Sequence, residues 1–385
     1  MQPLEGVRVV ALEQAVAAPL ATRHLADLGA DVVKIERPDG GDFARGYDHV
    51  VEGLSANFVW LNRGKRSIVL DLKNDADRAT AERLALGADI FVQNLGPGVA
   101  ERLGLGASDL RTQNPRLIHC SLSGYGETGP YRERKAYDLL IQGESGAETV
   151  SGTPEQPARL GISAVDISGG MYMLSALLAA LYQREQSDEG RTLTIALFDT
   201  IAEWLGVPLQ TTMHGGTFAR SGLRHNYIAP YGPFRCRDGT LNIAVQNDRE
   251  WARLAAALGR AELADDPRFL HNADRYAHRD ELQALIEESL GAMTLAQAFA
   301  LLEEAGVAYG ELRDVATLHE HPQLEAAGRW MLTPAETAHG PKELRTLRPP
   351  WDTPASGWRT RSGAIPALGQ HTAELLAEVE RGDWG

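Results

Sequence analysis

The feature that most constrains this chain is a strand–helix–strand unit at its N-terminus. Gly6–Glu13 (GVRVVALE) is a short β-branched run and reads as a strand. Pro19–Ala30 follows, with Leu20, His24, Leu25 and Leu28 on one helical face. Pro19 suits a first helical turn and Gly29 a C-terminal stop. Ala30–Arg37 (ADVVKIER) is the next strand. A βαβ unit of about 30 residues makes its two strands parallel, because the helix carries the chain back to the end where it started. Parallel sheets bury both faces, so helices must cover each side. The alternation continues with a strand at Lys65–Leu72, a helix at Asp75–Ala88, and strands at Asp89–Leu95 and Arg116–Gly126. Arg191–Leu205 reads as a last strand running into a helix. The fold class expected is α/β, with a doubly wound parallel sheet.

The texture changes at His214–Gly239, rich in Gly, Pro and aromatics, which reads as a crossover. A strand at Gly239–Gln246 and amphipathic helices at Asn247–Gly259, Arg279–Ala292 and Thr294–Gly306 follow, the last capped by Thr294. We expect a large domain over residues 1–210, completed by about 325–385, and a smaller α+β domain over 225–322. The Pro-rich tail ends in a short helix within LGQHTAELLAEVE.

A net charge of −14 argues against nucleic acid or an anionic membrane as partner, so any anionic ligand needs local cations. Cys120 and Cys236 lack metal-ligand spacing and read as reduced thiols; no metal site is expected. With no signal-like N-terminus and no run of 18 apolar residues, the expected location is cytoplasmic.

The first βα turn, Glu13–Thr22 (EQAVAAPLAT), lacks G-x-G-x-x-G. Ala17 and Ala18 still permit close backbone approach, and the helix behind them offers free N–H groups to an anion. Glu36 or Arg37, ending the second strand, could hold a ribose hydroxyl or a sugar phosphate. A nucleotide site and a plain βα turn both remain open. Asp166 is a sharper signal. It reads either as a helix N-cap or as a reactive carboxylate. The helix-like run Met171–Tyr182 starts only after Gly169-Gly170, an awkward place for a cap, whereas glycines beside a carboxylate admit a bulky reacting group. Their N–H groups could also stabilise an oxyanion.

These residues resemble the class III (CaiB/BaiF type) CoA-transferases, the group that includes formyl-CoA:oxalate and carnitine CoA-transferases. The resemblance covers nearly the whole chain. It is carried by GVRVVALEQAVAAPLATRHLADLGADVVKIERPDGGD, NRGKRSIVLDLK, FVQNLGPGVAERLGL, GYGETGPYRERKAYDLLIQGESG and VDISGGM. It continues in GRTLTIALFD, NDREWARLAAALGR, LADDPRF and LLEEAGV. It implies a Rossmann-like domain, an interlocked homodimer, coenzyme A as part of an acyl-CoA substrate, and Asp166 as nucleophile. It also implies CoA contacts by Val16, Ala17, Arg37, Leu70, Lys73, Asn94, Leu95, Arg102, Lys135 and Tyr137. Formyl-CoA transferase has Gln where Val16 stands and Lys where Ser123 stands, so the acyl pocket differs. Tyr47 stands where that enzyme has a Trp closing over the acyl group, and reads as a lid or as packing.

The stretches GESGAETVSGTPEQPARLGISAVDISGGMY and RHNYIAPYGPF are more similar to the branch that pairs succinyl-CoA with C4–C5 dicarboxylates. Citramalate, malate, itaconate, mesaconate and glutarate are the candidate acceptors. A second carboxylate needs a cation in the pocket, and Arg45, Arg159, Arg224 and His225 are candidates. The alternative on the same fold is an α-methylacyl-CoA racemase, whose His belongs in a GHD segment; here Ala136, Tyr137 and Asp138 stand there. A tyrosine, with an ordinary pKa of about 10, is a poor replacement base. A nucleotide-binding dehydrogenase is the alternative from another class, and the missing glycine fingerprint counts against it.

Overall fold

The computed structural model describes residues 2–360 and 363–384. The chain divides into two compact units. The first takes the chain up to Ala147, then Leu160–Gly206, then the stretch from Pro322 onward; the second is Glu148–Arg159 with Val207–His321.

The first unit is built on six parallel strands: β1 (Arg8–Leu12), β2 (Asp31–Glu36), β3 (Lys65–Val69), β4 (Ile90–Gln93), β5 (Ile118–Ser123) and β6 (Thr192–Ala196). Their order is β3-β2-β1-β4-β5-β6. The order reverses between β1 and β4, and in such sheets ligands bind beyond the strand ends at that reversal. β1 reads RVVAL and is apolar and buried from Val9 to Leu12, because both faces are covered there. One face packs on α1 (Ala17–Asp27), and Asp75–Leu86 forms α2 over the other. The C-terminal helix Thr372–Arg381 adds Leu375 and Val379 to that second face. An antiparallel hairpin, Trp330–Thr337 with Gly340–Leu347, was not expected from the Pro-rich tail.

The helix carrying Asp166 corrects the sequence reading. Asp138–Ser145 is α3, and Ala164–Ser187 is α4, which starts seven residues before Met171. Gly169 and Gly170 therefore lie inside the helix, and a close approach explains them. A Cβ on Gly169 would sit 2.4 Å from the Leu197 side chain, and one on Gly170 would sit 2.5 Å from the Ala17 carbonyl oxygen. α4 is long and apolar enough to cross a membrane, but it is the core helix of this unit, laid against α1 and Leu197–Trp204 (α5).

The second unit has three antiparallel strands, Tyr231–Arg235, Thr240–Ala244 and Ala308–Glu311. Helices Asp248–Ala257, Arg279–Leu290 and Leu295–Ala305 pack on them around Trp251, Phe269 and Leu254. Thr294 caps the last of these in a reciprocal box with Gln297, as its place before the apolar run predicts.

Candidate active site

The turn after β1 is fixed from below by buried charge. Glu13 lies between Lys65 Nζ at 2.7 Å and Lys34 Nζ at 3.4 Å, and accepts from Thr22 Oγ1 at 2.6 Å. Burial pushes the Glu13 carboxyl up, but the two ammonium groups overcome this and hold it below its ordinary value. Lys34 also donates to Asp42 at 2.8 Å, and Asp42 accepts the Ala15 N–H at 3.0 Å. Ala15 has φ 65°, a left-handed conformation costly for a residue with a side chain. Asp42 therefore holds a strained turn in place. Asn94, after β4, grips the same turn from the other side: its Oδ1 accepts Gln14 N–H and its Nδ2 donates to Gln14 O, both at 2.9 Å. This amide is a clamp across the reversal point, and both its polar atoms are used there.

Beyond the ends of β1, β2 and β3 opens a cavity of about 570 Å³. It is lined by Arg37, Leu70, Lys73 and Leu95, four of the ten positions at which the family resemblance implies CoA contacts, and by Glu13 and Asp42. Arg37 is half exposed and pairs with exposed Asp39 at 3.2 Å, a weak surface pair that leaves it a usable cation. Arg102, Lys135 and Tyr137 are exposed and lie outside this lining.

Val16 and Ala17 are buried. Val16 packs with Leu20 and Leu61 against Ile167, the residue after Asp166. The βα turn and the first turns of α4 thus touch. The Tyr47 phenol is pushed up to about 12 by burial first, then by the charges of Asp42 and Asp166 and by Tyr137. Tyr47 therefore stands within electrostatic reach of both the cavity wall at Asp42 and Asp166.

Asp166 is partly buried in the first turn of α4. Its carboxyl is pushed up to about 7, by desolvation first and by the Asp138 carboxylate second. Asp138 Oδ1 accepts the N–H of Val165 at 2.9 Å and of Asp166 at 3.3 Å, so a side chain from α3 caps α4. The sequence offered little warning of this, because cap and helix are 26 residues apart in the chain (164 − 138).

Other expectations need correction. Gly169 and Gly170 occupy interior helix positions, where N–H groups bond to carbonyls one turn back, so neither is an oxyanion donor. Arg45 is committed to Glu36 through two nitrogens, at 2.8 and 2.7 Å, and to the Pro366 carbonyl, and it covers the Phe58 ring. It is a strut, not a free cation. In the second unit, Arg224 pairs with Asp280 at 2.6 Å. His225 Nδ1 accepts the Tyr227 and Ile228 N–H groups, and burial holds its pKa below the ordinary value, so it is a neutral loop anchor. Arg159 is exposed in the same unit. Cys120 lies in the core with its thiol pushed up to about 12 by burial. Among the described residues no group of His, Cys, Asp and Glu is placed to hold a metal ion.

Comparison with known proteins gives this geometry a context. Residues 4–372 match the model of CoA-transferase family III. An acetyl-CoA:oxalate CoA-transferase of Acetobacter aceti is 39% identical over 327 residues, 84% of each chain. A succinate–glutarate CoA-transferase of Agrobacterium fabrum is 36% identical over 387 residues, covering 98% of this chain and 96% of its own. The crystal structure of a CaiB/BaiF family protein from Brucella suis superposes with a TM-score of 0.85 at 35% identity, over 98% of this chain and 99% of that one. With the family model spanning nearly the whole sequence, this chain belongs to CoA-transferase family III and is an enzyme of that type, acting on CoA thioesters.

Proposed function

We propose that this enzyme moves CoA from succinyl-CoA to a C4–C5 dicarboxylate, with Asp166 as the nucleophile. One observation carries the mechanism: a carboxyl set where α4 meets the turn at the strand reversal, partly desolvated and pushed up to about 7. Such a carboxylate is a better nucleophile than a solvated one. It also matches donor and acceptor acids in chemistry, so each exchange runs between groups of similar energy.

In the first step an Asp166 oxygen attacks the thioester carbonyl, and the C–S bond breaks to give an aspartyl–acyl anhydride and CoA thiolate. The thiolate then attacks the aspartyl carbonyl, releasing the donor carboxylate and leaving CoA on Asp166 as a thioester. The acceptor carboxylate attacks that thioester and expels the thiolate. The thiolate attacks the acceptor's carbonyl in the new anhydride, giving product acyl-CoA and free Asp166. Both intermediates hydrolyse, so Tyr47, half exposed beside Asp166, is suited to a lid that excludes water. The nucleotide end of CoA fits the cavity at Arg37 and Lys73. The working unit is a cytoplasmic homodimer, with half-exposed Leu139 and Leu140 as apolar surface for a neighbour to cover.

The succinate–glutarate relative, matched almost end to end, supports glutarate among the candidate acceptors. The acetyl-CoA:oxalate relative, more identical over a shorter span, favours a second reading with oxalate as acceptor. A screen of succinyl-CoA and acetyl-CoA against glutarate, malate, citramalate, itaconate, mesaconate and oxalate, read by mass spectrometry, separates them. Deuterium exchange at the α-carbon without CoA exchange would point instead to a racemase. Arg37→Ala and Lys73→Ala are each expected to raise KM for acyl-CoA roughly tenfold with kcat little changed, because phosphate contacts persist through the reaction. Steady-state kinetics with an unchanged KM would remove the nucleotide from this cavity.

A further inference from the structure

We propose that Asp138 is a positioning residue that prevents the N-terminus of α4 from stabilising Asp166 as an inert carboxylate, and so sets its reactivity. This rests on the reading of Asp166 as nucleophile. A helix N-terminus carries free N–H groups and about half a unit of positive charge, which ordinarily stabilise an acid in the first turn. In α4 those donors are consumed. Ala164 N–H goes to the Ile162 carbonyl at 2.8 Å, and Val165 and Asp166 N–H go to Asp138 Oδ1. Asp138 is itself held in place. Its Oδ2 accepts from Gln142 Nε2 at 2.7 Å, and Gln142, fully buried, accepts the Leu160 N–H at 2.8 Å through Oε1. The cap is therefore an anion, fixed beside the anion it serves.

Among the described residues, Asp138 is the charged group that acts on Asp166. α3 brings Asp138, preceded by exposed Tyr137. The loop after β2 brings the neutral phenol of Tyr47, with Asp42 behind it. α1 and α5 meet this end of α4 with Ala17, Leu20, Leu197 and Thr200, and the Thr200 hydroxyl bonds Ser168 at 3.0 Å. The acids of α5, Asp199 and Glu203, are exposed.

The test is kcat/KM against pH for the wild type, Asp138→Asn and Asp138→Ala, with Asp166→Ala alongside and thermal melts to verify folding. Wild-type transfer falls as pH drops through about 7, where Asp166 takes up a proton. In both Asp138 variants that limb is expected to lie about one pH unit lower, with a plateau reduced several-fold. A limb that stays at the wild-type pH, with activity reduced evenly at every pH, would make Asp138 a plain cap and overturn the proposal. Asp138→Asn keeps an oxygen to accept both N–H groups, so it carries the test if the alanine variant does not fold. Wild-type transfer by Asp166→Ala would instead overturn the nucleophile itself, a separate outcome.

Discussion

Asp166→Ala is expected to lower kcat for CoA transfer by at least about four orders of magnitude, with acyl-CoA still bound and the fold intact. The size follows from the chemistry. Without the carboxylate there is no anhydride and no enzyme thioester, and direct attack of one carboxylate on a thioester must proceed without covalent catalysis. The fold survives because the start of α4 is tied by backbone N–H groups and Asp138, not by the Asp166 side chain among the described residues. Stopped-time assays by mass spectrometry with a parallel acyl-CoA titration check both halves. A variant that binds acyl-CoA and transfers at more than about 1% of the wild-type rate would remove Asp166 from the covalent role.

Gly170→Ala has the second largest expected effect, and its sign is decided by competing magnitudes. Helix propensity alone would make the change stabilising by about 1 kcal/mol. The added Cβ, however, would sit 2.5 Å from the Ala17 carbonyl oxygen and 3.1 Å from Leu20 Cβ. A backbone oxygen at the start of α1 cannot swing aside as a long side chain can, so the two helices must separate. Overpacking of this kind costs about 1–3 kcal/mol or more, and we expect a net loss of about 2 kcal/mol. The same shift would move Asp166 relative to the Val16–Ala17 turn, so kcat should fall at least tenfold even at temperatures where the variant is folded. Chemical denaturation and kinetics at low temperature check the two effects. A more stable variant with normal kcat would show that the helices are not in tight register there.

The alternating strands and helices of the first unit were legible because hydrophobic period and turn chemistry agree in them. RVVAL and DVVKIE can scarcely be read otherwise. The start of α4 at Ala164 departs from the local sequence pattern for a physical reason. Gly169-Gly170 looks like a break to a local rule, but in the fold the glycines allow two helices to touch, and tertiary packing outweighs their poor propensity. The hairpin at Trp330–Thr337 was hidden by Pro334, although buried Met331, Thr333 and Ala335 alternate with exposed Leu332 and Pro334 as in a one-faced strand. Arg45 and Asn94 show the limit at the site. Their residue types fit ligand binding, and only coordinates reveal that Glu36 and the Gln14 backbone already engage them. Asp138 shows the converse: its part depends on a contact 27 and 28 residues away along the chain.

The most direct measurement is to incubate the enzyme with succinyl-CoA, quench with hydroxylamine, and sequence the peptide containing residue 166 by mass spectrometry. An acyl or CoA group carried on the side chain would leave a hydroxamate at Asp166, and none on Asp138 next to it in space. An unmodified Asp166 in an enzyme that is turning over, or a hydroxamate on another residue, would contradict the account.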